Sequence, residues 1–387
     1  MITPKIKVSS VRCFDYSPDY VQSAVEEAIV LAGGLPEKVL KASSVLLKPN
    51  LLTARDPDGF TTTHPEVIRA FIKLLKKTGC KKIYIGDSPA GNYSFDELWT
   101  KTGMKAVAGE EGALLLPFEN IRRVELSDGS ILPVLREFFE MDAVISLPKL
   151  KTHALTKITG AVKNSYGLVV GNAKSAFHGK YPSPVKMARF LSEIYGMLRA
   201  DFYLMDAVVA MAGDGPSNGS PHRASAIFAS SDAVALDSVA ASIYGYSPED
   251  IPLLGFASKA GLGTSDLQII EILERDLKIE DIPKGARSKA DILHRVPDLL
   301  FGWISPLLSS HPEINQEFCV KCGKCLEACS QKAISKKKDG SLEVKRKKCI
   351  LCMCCIESCP VHAVKLQSFY LKSFGRIRNF FKNKRGK

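Results

Sequence analysis

The feature that most constrains this chain is a crowd of cysteines near its C-terminal end: nine of the 11 cysteines fall between Cys319 and Cys359. Cys319, Cys322, Cys325 and Cys329 form one run and Cys349, Cys352, Cys355 and Cys359 a second, each spaced C-x2-C-x2-C-x3-C. In a chain with no apparent export leader, such crowding argues for metal ligation over disulfides. Zinc sites use paired cysteines at C-x2-C. A triplet in one tight loop instead offers three thiolates to three corners of an iron–sulfur cubane, and the fourth cysteine ligates the other cluster. The predicted ligand sets are therefore Cys319, Cys322 and Cys325 with Cys359, and Cys349, Cys352 and Cys355 with Cys329. Two [4Fe-4S] clusters are the expected cofactors, and a further cofactor is left open.

The segment around residues 315–367 resembles bacterial-type two-cluster ferredoxins, small α+β modules that carry electrons. Ala333-Ile334 and Ala363-Val364 follow the fourth cysteines, and Asp339-Gly340 marks a turn between the halves. Ser330 departs from the pattern, standing where the family usually has proline. So does Cys354, an extra thiol beside a ligand, which reads as a spare buried group.

The 387 residues suffice for one large domain plus this small one. With 45% hydrophobic and 24% charged residues the chain reads as soluble and globular. No run reaches the roughly 18 apolar residues of a membrane span. No charged-then-apolar leader is read at the start, so the expected location is cytoplasmic. The net charge of +12 is uneven: residues 319–365 carry +7, residues 366–387 another +7, and the first 318 residues −2. The lysines around the cysteines offset the negative charge of thiolate-ligated clusters. Specific nucleic-acid binding by the main body is not expected.

Residues 1–285 read as an α/β domain with a mixed, largely parallel sheet, because short apolar strands alternate with amphipathic helices. Expected strands include Lys5 to Phe14, Val45 to Leu47, Ile83 to Ile85, Ala143 to Ser146, Phe202 to Met205 and Ala224 to Ala229. Expected helices run from Tyr20 to Ala32, from Pro65, from Pro184 to Leu198 and from Asp232 to Tyr244. Ile121 to Leu132 reads as a hairpin turning at Asp128-Gly129. Residues 286–314, with three prolines, read as a connecting segment.

Ligands of such sheets bind beyond the carboxyl ends of the strands, and several polar clusters follow strands here. Lys48-Pro49-Asn50 is one, Gly86-Asp87-Ser88 another. Pro148 to His153 runs on to Lys163-Asn164, and Asp206 precedes Gly213-Asp214-Gly215 and His222. Lys151, His153 and Lys163 are the candidate catalytic residues; Lys48, Asn50, Asp87, Asn164, Asp206 and Asp214 are candidate cofactor- or ligand-binding residues. His64 and Asp232 read as helix caps. None of these stretches is a Walker loop, a Rossmann fingerprint or a nucleophile elbow.

In this order the clusters resemble an uncharacterised family, domain of unknown function three-six-two, over about residues 40–260. Its members often carry a ferredoxin module, and no activity follows from the resemblance. A fainter one is to the amino-terminal domain of lactate racemase, where a histidine lies ten residues before a lysine anchoring a nickel-pincer nucleotide. His153 and Lys163 have that separation, though Ala161-Val162 replaces the usual glycine pair. The expected function is an iron–sulfur redox protein, an oxidoreductase if the α/β domain turns over a ligand. The alternatives are a non-enzymatic electron carrier or adaptor and a nickel-pincer-like protein. A redox partner protein and a small anionic ligand are the expected partners. Aromatic and basic residues interleave in the segment 368–387, so it could also lie on an anionic membrane.

Overall fold

The computed structural model describes residues 5–90, 93–171, 173–298 and 311–367. The basic tail from residue 368 lies outside them. The strands are β1 (Ile6–Arg12), β2 (Ser44–Pro49), β3 (Lys82–Ile85), β4 (Leu114–Leu115), β5 (Ile121–Glu125), β6 (Ile131–Leu135), β7 (Ala143–Leu147), β8 (Lys149–His153), β9 (Lys157–Thr159), β10 (Phe202–Ala212), β11 (Ser220–His222), β12 (Ala226–Ser230) and β13 (Ile270–Arg275). In the C-terminal module they are β14 (His311–Ile314), β15 (Ile334–Lys336), β16 (Leu342–Val344) and β17 (Val364–Gln367).

The main sheet runs β13-β1-β12-β10-β7-β2-β3-β4. Pairing is parallel from β10 through β7, β2 and β3 to β4 and between β1 and β13. Strand β12 is antiparallel to both neighbours. The fold is therefore α/β with a mixed, mostly parallel sheet. Its central strands are buried on both faces and alternate strictly between two cores. Val45, Leu47, Ala143, Ile145, Phe202 and Leu204 meet helices Pro18–Leu31 and Pro65–Lys77 on one face. Leu46, Val144, Tyr203 and Met205 meet helices Pro184–Met197, Ala233–Ala240 and Pro252–Lys259 on the other. Strands β5 and β6 form a separate hairpin, as an inserted lobe would.

The caps follow side-chain chemistry. Asp232 accepts from the amides of Val234 and Ala235, and His64 Nδ1 from that of Glu66. Sequence periodicity misses the β8–β9 ribbon. Lys149, Lys151 and His153 share one side of β8, and all three are 1% exposed or less. Strand β8 joins β10 across a bulge between Asp206 and Met211, and β9 folds back on it.

The C-terminal module is a two-fold pseudo-repeat. Strands β14 and β17 pair, so the module begins at His311, inside the stretch that proline content marks as a connection. Strands β15 and β16 pair around the Asp339-Gly340 turn. Lys321, Gly323 and Lys332 take left-handed conformations in the first half; Leu351, Met353 and His362 repeat them in the second. Only Gly323 adopts this region without steric cost, so both halves bend their loops against local preference.

Lys149 and Asp206 form a fully buried ion pair at 2.8 Å, with Tyr16 bonded to both partners. Removing one partner strands the other charge, so Lys149→Met is expected to cost about 3–5 kcal/mol in chemical denaturation of the α/β domain. A loss under about 1 kcal/mol would show that the pair does not anchor this part of the sheet.

Candidate functional site

Sequence order along the parallel strands reverses between β2 and β7. From β2 the chain proceeds outward to β3 and β4, then returns to the other side of β2 as β7 and on to β10. Ligand crevices in open α/β sheets form at such a switch, beyond the carboxyl ends. Here Lys48 leaves β2 and Asp87 follows β3, and their side chains pair at 2.8 Å while almost wholly buried. Asp87 also accepts from the amides of Leu51 and Ser88. Asn164 ties the two strands together: its Oδ1 takes Lys48 Nζ at 3.1 Å, and its Nδ2 donates to Lys48 O and Ser146 Oγ. Gly167 lies against this knot, where an added Cβ would stand 2.2 Å from Asp87 Oδ1 and 2.4 Å from Lys48 Nζ.

Asn164 and Lys163 sit on a single helical turn, Ala161–Asn164, whose amides at Ala161 and Val162 donate to Asp237. Burial pushes the Asp237 carboxyl up to about 7, against those two amides. Gly160 is required here, because a Cβ would meet Asp237 Oδ1 at 2.1 Å.

The C-terminal module closes over this edge. A cleft lies between them. The α/β domain lines it with Asn50, Asp87, Lys163, Asn164, Tyr166, Lys174 and His178, and the module with Glu327, Ala328, Cys354, Glu357 and Ser358. Burial lowers the Lys163 ammonium below its ordinary value, opposed by the nearby Glu357 carboxylate. Among the described residues it makes no hydrogen bond. Burial brings Lys174 down to about 7, opposed by Asp87, and its Nζ donates to Ser88 O. Across the cleft, burial alone would raise the Glu357 carboxyl, but the adjacent His153 ring and the Lys163 ammonium hold it below its ordinary value.

Of the predicted catalytic residues, only Lys163 reaches the cleft. Lys151 is turned inward, its Nζ on Asn50 Oδ1 at 2.8 Å and Thr61 O at 2.7 Å, where it positions Asn50. His153 is fully buried. Its Nδ1 accepts from the amides of Leu155 and Thr156, and its Nε2 stands 3.4 Å from Glu357 Oε1 without hydrogen-bond alignment. Asn50, Asp87 and Asn164 line the cleft, with Lys48 one bond behind. Asp206 is spent on Lys149, and Asp214 pairs with Lys289 beside another cavity on the domain boundary. Lys174, His178, Cys354 and Glu357 were not read from the sequence as cleft residues. Helix Ala173–Lys180 lacks a strong apolar stripe, and the other two reach the cleft only through docking of the module.

The module's cysteines line two further cavities. One is walled by Cys319, Cys322, Cys325 and Cys359, the other by Cys329, Cys349, Cys352 and Cys355. These are the crossed sets expected for cubanes. Among the described residues, no three or more His, Cys, Asp or Glu side chains converge tightly enough to grip a single metal ion. The residues thus fit a cluster, whose corners are well separated, rather than zinc. Ala333 N donates to Cys329 Sγ at 3.1 Å and Ala363 N to Cys359 Sγ at 3.2 Å, the sulfur hydrogen bonds that tune such clusters. The second cavity shares Ala328 with the cleft.

Module and domain are held together by directed contacts. Arg55 donates to Ser217 O and Cys359 O, Tyr93 OH to Ser358 O, and Asn218 Nδ2 to Val364 O. Lys324 lies 3.6 Å above the Tyr93 ring and pairs with Glu97. Lys324 and Cys354 hold equivalent places, each just before the third cysteine of its run. Both face the α/β domain. Lysine fills the space in one half; the shorter cysteine leaves room for the cleft in the other.

Burial holds His178 down at about 4, as it does His64 and His294. Unfolded histidine titrates near 6.5. Between those values the unfolded chain binds protons that the folded chain refuses, so stability is fully present above pH 6.5 and falls as pH drops toward 4. His178→Gln should flatten the slope of denaturation free energy between pH 6 and 5 by about 1.4 kcal/mol per pH unit. An unchanged slope would show that His178 is protonated in the folded protein.

Comparison with known proteins follows this geometry. The profile of the domain of unknown function DUF362 matches residues 45–242, and that of a 4Fe-4S dicluster domain matches residues 312–366. A thylakoid-associated protein of Synechocystis sp. is 31% identical over 275 residues, covering 68% of this chain and 82% of the relative. Solved structures are matched more distantly. The apoprotein of lactate racemase from Thermoanaerobacterium thermosaccharolyticum is 15% identical with a TM-score of 0.38, over 60% of this chain and 55% of that one. A Thermotoga maritima protein is 18% identical with a TM-score of 0.33, over 50% and 51%. This chain thus spans little more than half the length of either structure. It belongs to the DUF362 family, in the form that carries a 4Fe-4S ferredoxin module at its C-terminal end.

Proposed function

We propose that this chain is an iron–sulfur redox protein that passes single electrons between an external carrier and a small anionic molecule held in the cleft. The observation that carries this reading is the placement of the cleft between the switch point of the sheet and the second four-cysteine cavity. Cys319, Cys322, Cys325 and Cys359 would hold one [4Fe-4S] cluster, and Cys349, Cys352, Cys355 and Cys329 the other. When bound, such clusters supply one-electron chemistry. Lys163 and Lys174 offer two ammonium groups to the anion. Asn50, Asp87 and Asn164 orient it, Tyr166 and Leu52 exclude water, and Cys354 and Ala328 line the module's side, Ala328 also walling the second cluster site. The nickel-nucleotide reading needs a nitrogen of His153 beside Lys163. Here His153 Nδ1 takes two backbone amides and its Nε2 faces Glu357, so this reading draws less support from the geometry than the redox one.

The test is anaerobic purification with metal, sulfide and mass analysis. Material with about eight irons and eight sulfides per chain is expected, together with a co-purifying or added anion that reoxidises the reduced clusters. Cys354→Phe, which fills the cleft, should keep the iron and lose that reoxidation. Iron far below this level after reconstitution overturns the cluster assignment. Full iron with no anion able to reoxidise the clusters leaves a non-enzymatic carrier or adaptor instead.

Among the described residues no helix is long and apolar enough to cross a membrane. The relative's association with thylakoids supports a peripheral contact through the basic segment 366–387. Pelleting with anionic liposomes should therefore drop several-fold when that segment is removed; equal pelleting would count against it.

A further inference from the structure

The two four-cysteine cavities differ in the exposure of the residues that line them. Of those lining the second, only Gln331 is exposed, the rest being buried or half-buried. The first opens outward through Val320, Lys321, Cys322 and Val361. Cys322 is the one exposed cysteine of the chain's 11. Beside it Phe318 and Val320 are 57% and 61% exposed, on a module small enough that such side chains are rarely left bare without use.

A basic ring surrounds this apolar spot. Lys365 Nζ stands 5.7 Å from the centre of the Phe318 ring. Lys321 and Lys336 converge on the Gly340 turn, each within 3.8 Å of where its Cβ would lie. Lys337 and Lys338 are exposed next to it. Glu317, Glu327 and Asp339 are exposed carboxylates nearby in the chain and Glu343 pairs with Lys337, yet residues 319–365 sum to +7 and stay positive, at about +3, once two thiolate-ligated clusters are counted. An apolar centre inside a charged rim is the anatomy of a protein interface, and a rim of one sign steers a partner of the other.

We propose that this face docks an acidic one-electron carrier protein, so that electrons enter or leave through the cluster site of Cys319, Cys322, Cys325 and Cys359 while the second site serves the cleft. The step is a single electron transfer. A [4Fe-4S] cluster held by Cys319, Cys322, Cys325 and Cys359 would exchange one electron with the carrier, one partner being oxidised as the other is reduced, and no bond or proton would move. This rests on the redox reading above and adds the partner's charge, its footprint and the cluster site it meets. Electron-transfer encounters of this kind bury little surface and dissociate quickly, which suits a small patch.

The experiment uses the full-length, cluster-loaded protein, a plant-type [2Fe-2S] ferredoxin as acidic probe and cytochrome c as basic control. Binding is titrated at low and at high salt. The ferredoxin should bind at low salt, weaken at least tenfold at high salt, and outcompete cytochrome c. Lys336→Glu with Lys365→Glu should weaken it a further tenfold or more, and the milder double alanine variant about threefold, with iron content unchanged. Lys38→Glu with Lys41→Glu, on the far side of the α/β domain, should leave affinity within twofold. Equal affinity in the rim and control variants overturns the docking face, as does tighter binding of cytochrome c. So does a rim variant that loses anionic vesicles but keeps ferredoxin, which would make this a membrane surface. Reduction of the clusters by a viologen dye does not need the docking face. If it persists while ferredoxin affinity ignores the rim, docking fails and the redox reading stands.

Discussion

Burying a charged side chain costs several kcal/mol unless a partner and further hydrogen bonds compensate it. At the carboxyl edge of this sheet Lys48, Lys149 and Lys151 are all at most 1% exposed. Each has a solution. Lys48 has Asp87 and Asn164, Lys149 has Asp206 and Tyr16, and Lys151 has two neutral oxygens. These knots pin β2, β3, β7 and β10 at the point where chain order reverses. They fix the backbone from which the cleft residues project. Lys163 and Lys174 stand apart from this set, because their ammonium groups border the cleft.

The module completes the site. It sets Glu357 against the His153 ring and near the Lys163 ammonium. Docking makes one buried polar boundary from two surfaces that are each incomplete. One four-cysteine cavity has exposed residues in its wall and the other adjoins the cleft, so the two halves of the pseudo-repeat have different surroundings in the assembled protein.

Most of the fold was legible in the sequence because it rests on periodicity. The helix from Pro65 and the short strands Val45 to Leu47 and Ile83 to Ile85 follow from apolar spacing, and the caps at His64 and Asp232 from side-chain chemistry. The crossed cysteine sets follow from spacing. The site was legible only in part. Lys48, Asn50, Asp87, Lys163 and Asn164 were found because they follow strands. Lys151 and His153 follow the same pattern but lie off the cleft: alternation on β8 shows that they share a side, while their burial depends on Asn50 and Thr61 for Lys151 and on Glu357 for His153. Lys174, His178 and Glu357 had no signal, since neither weak amphipathicity nor proximity to a cysteine says which way a side chain will face.

The position before the third cysteine of each run shows how one motif acquires two uses. In the first half the long Lys324 side chain crosses to Tyr93 and Glu97 and fastens the module to the α/β domain. In the second half the same place holds Cys354, preceded by Met353, which accepts the left-handed conformation that Gly323 takes freely. A lysine there would enter the space bordered by Lys163 and meet a like charge in a poorly hydrated cleft, a costly arrangement. A small, uncharged thiol avoids both the clash and the repulsion. What the cysteine pattern alone marks as a surplus sulfur is, in the folded protein, the short side chain that leaves the cleft open beside the second cluster site.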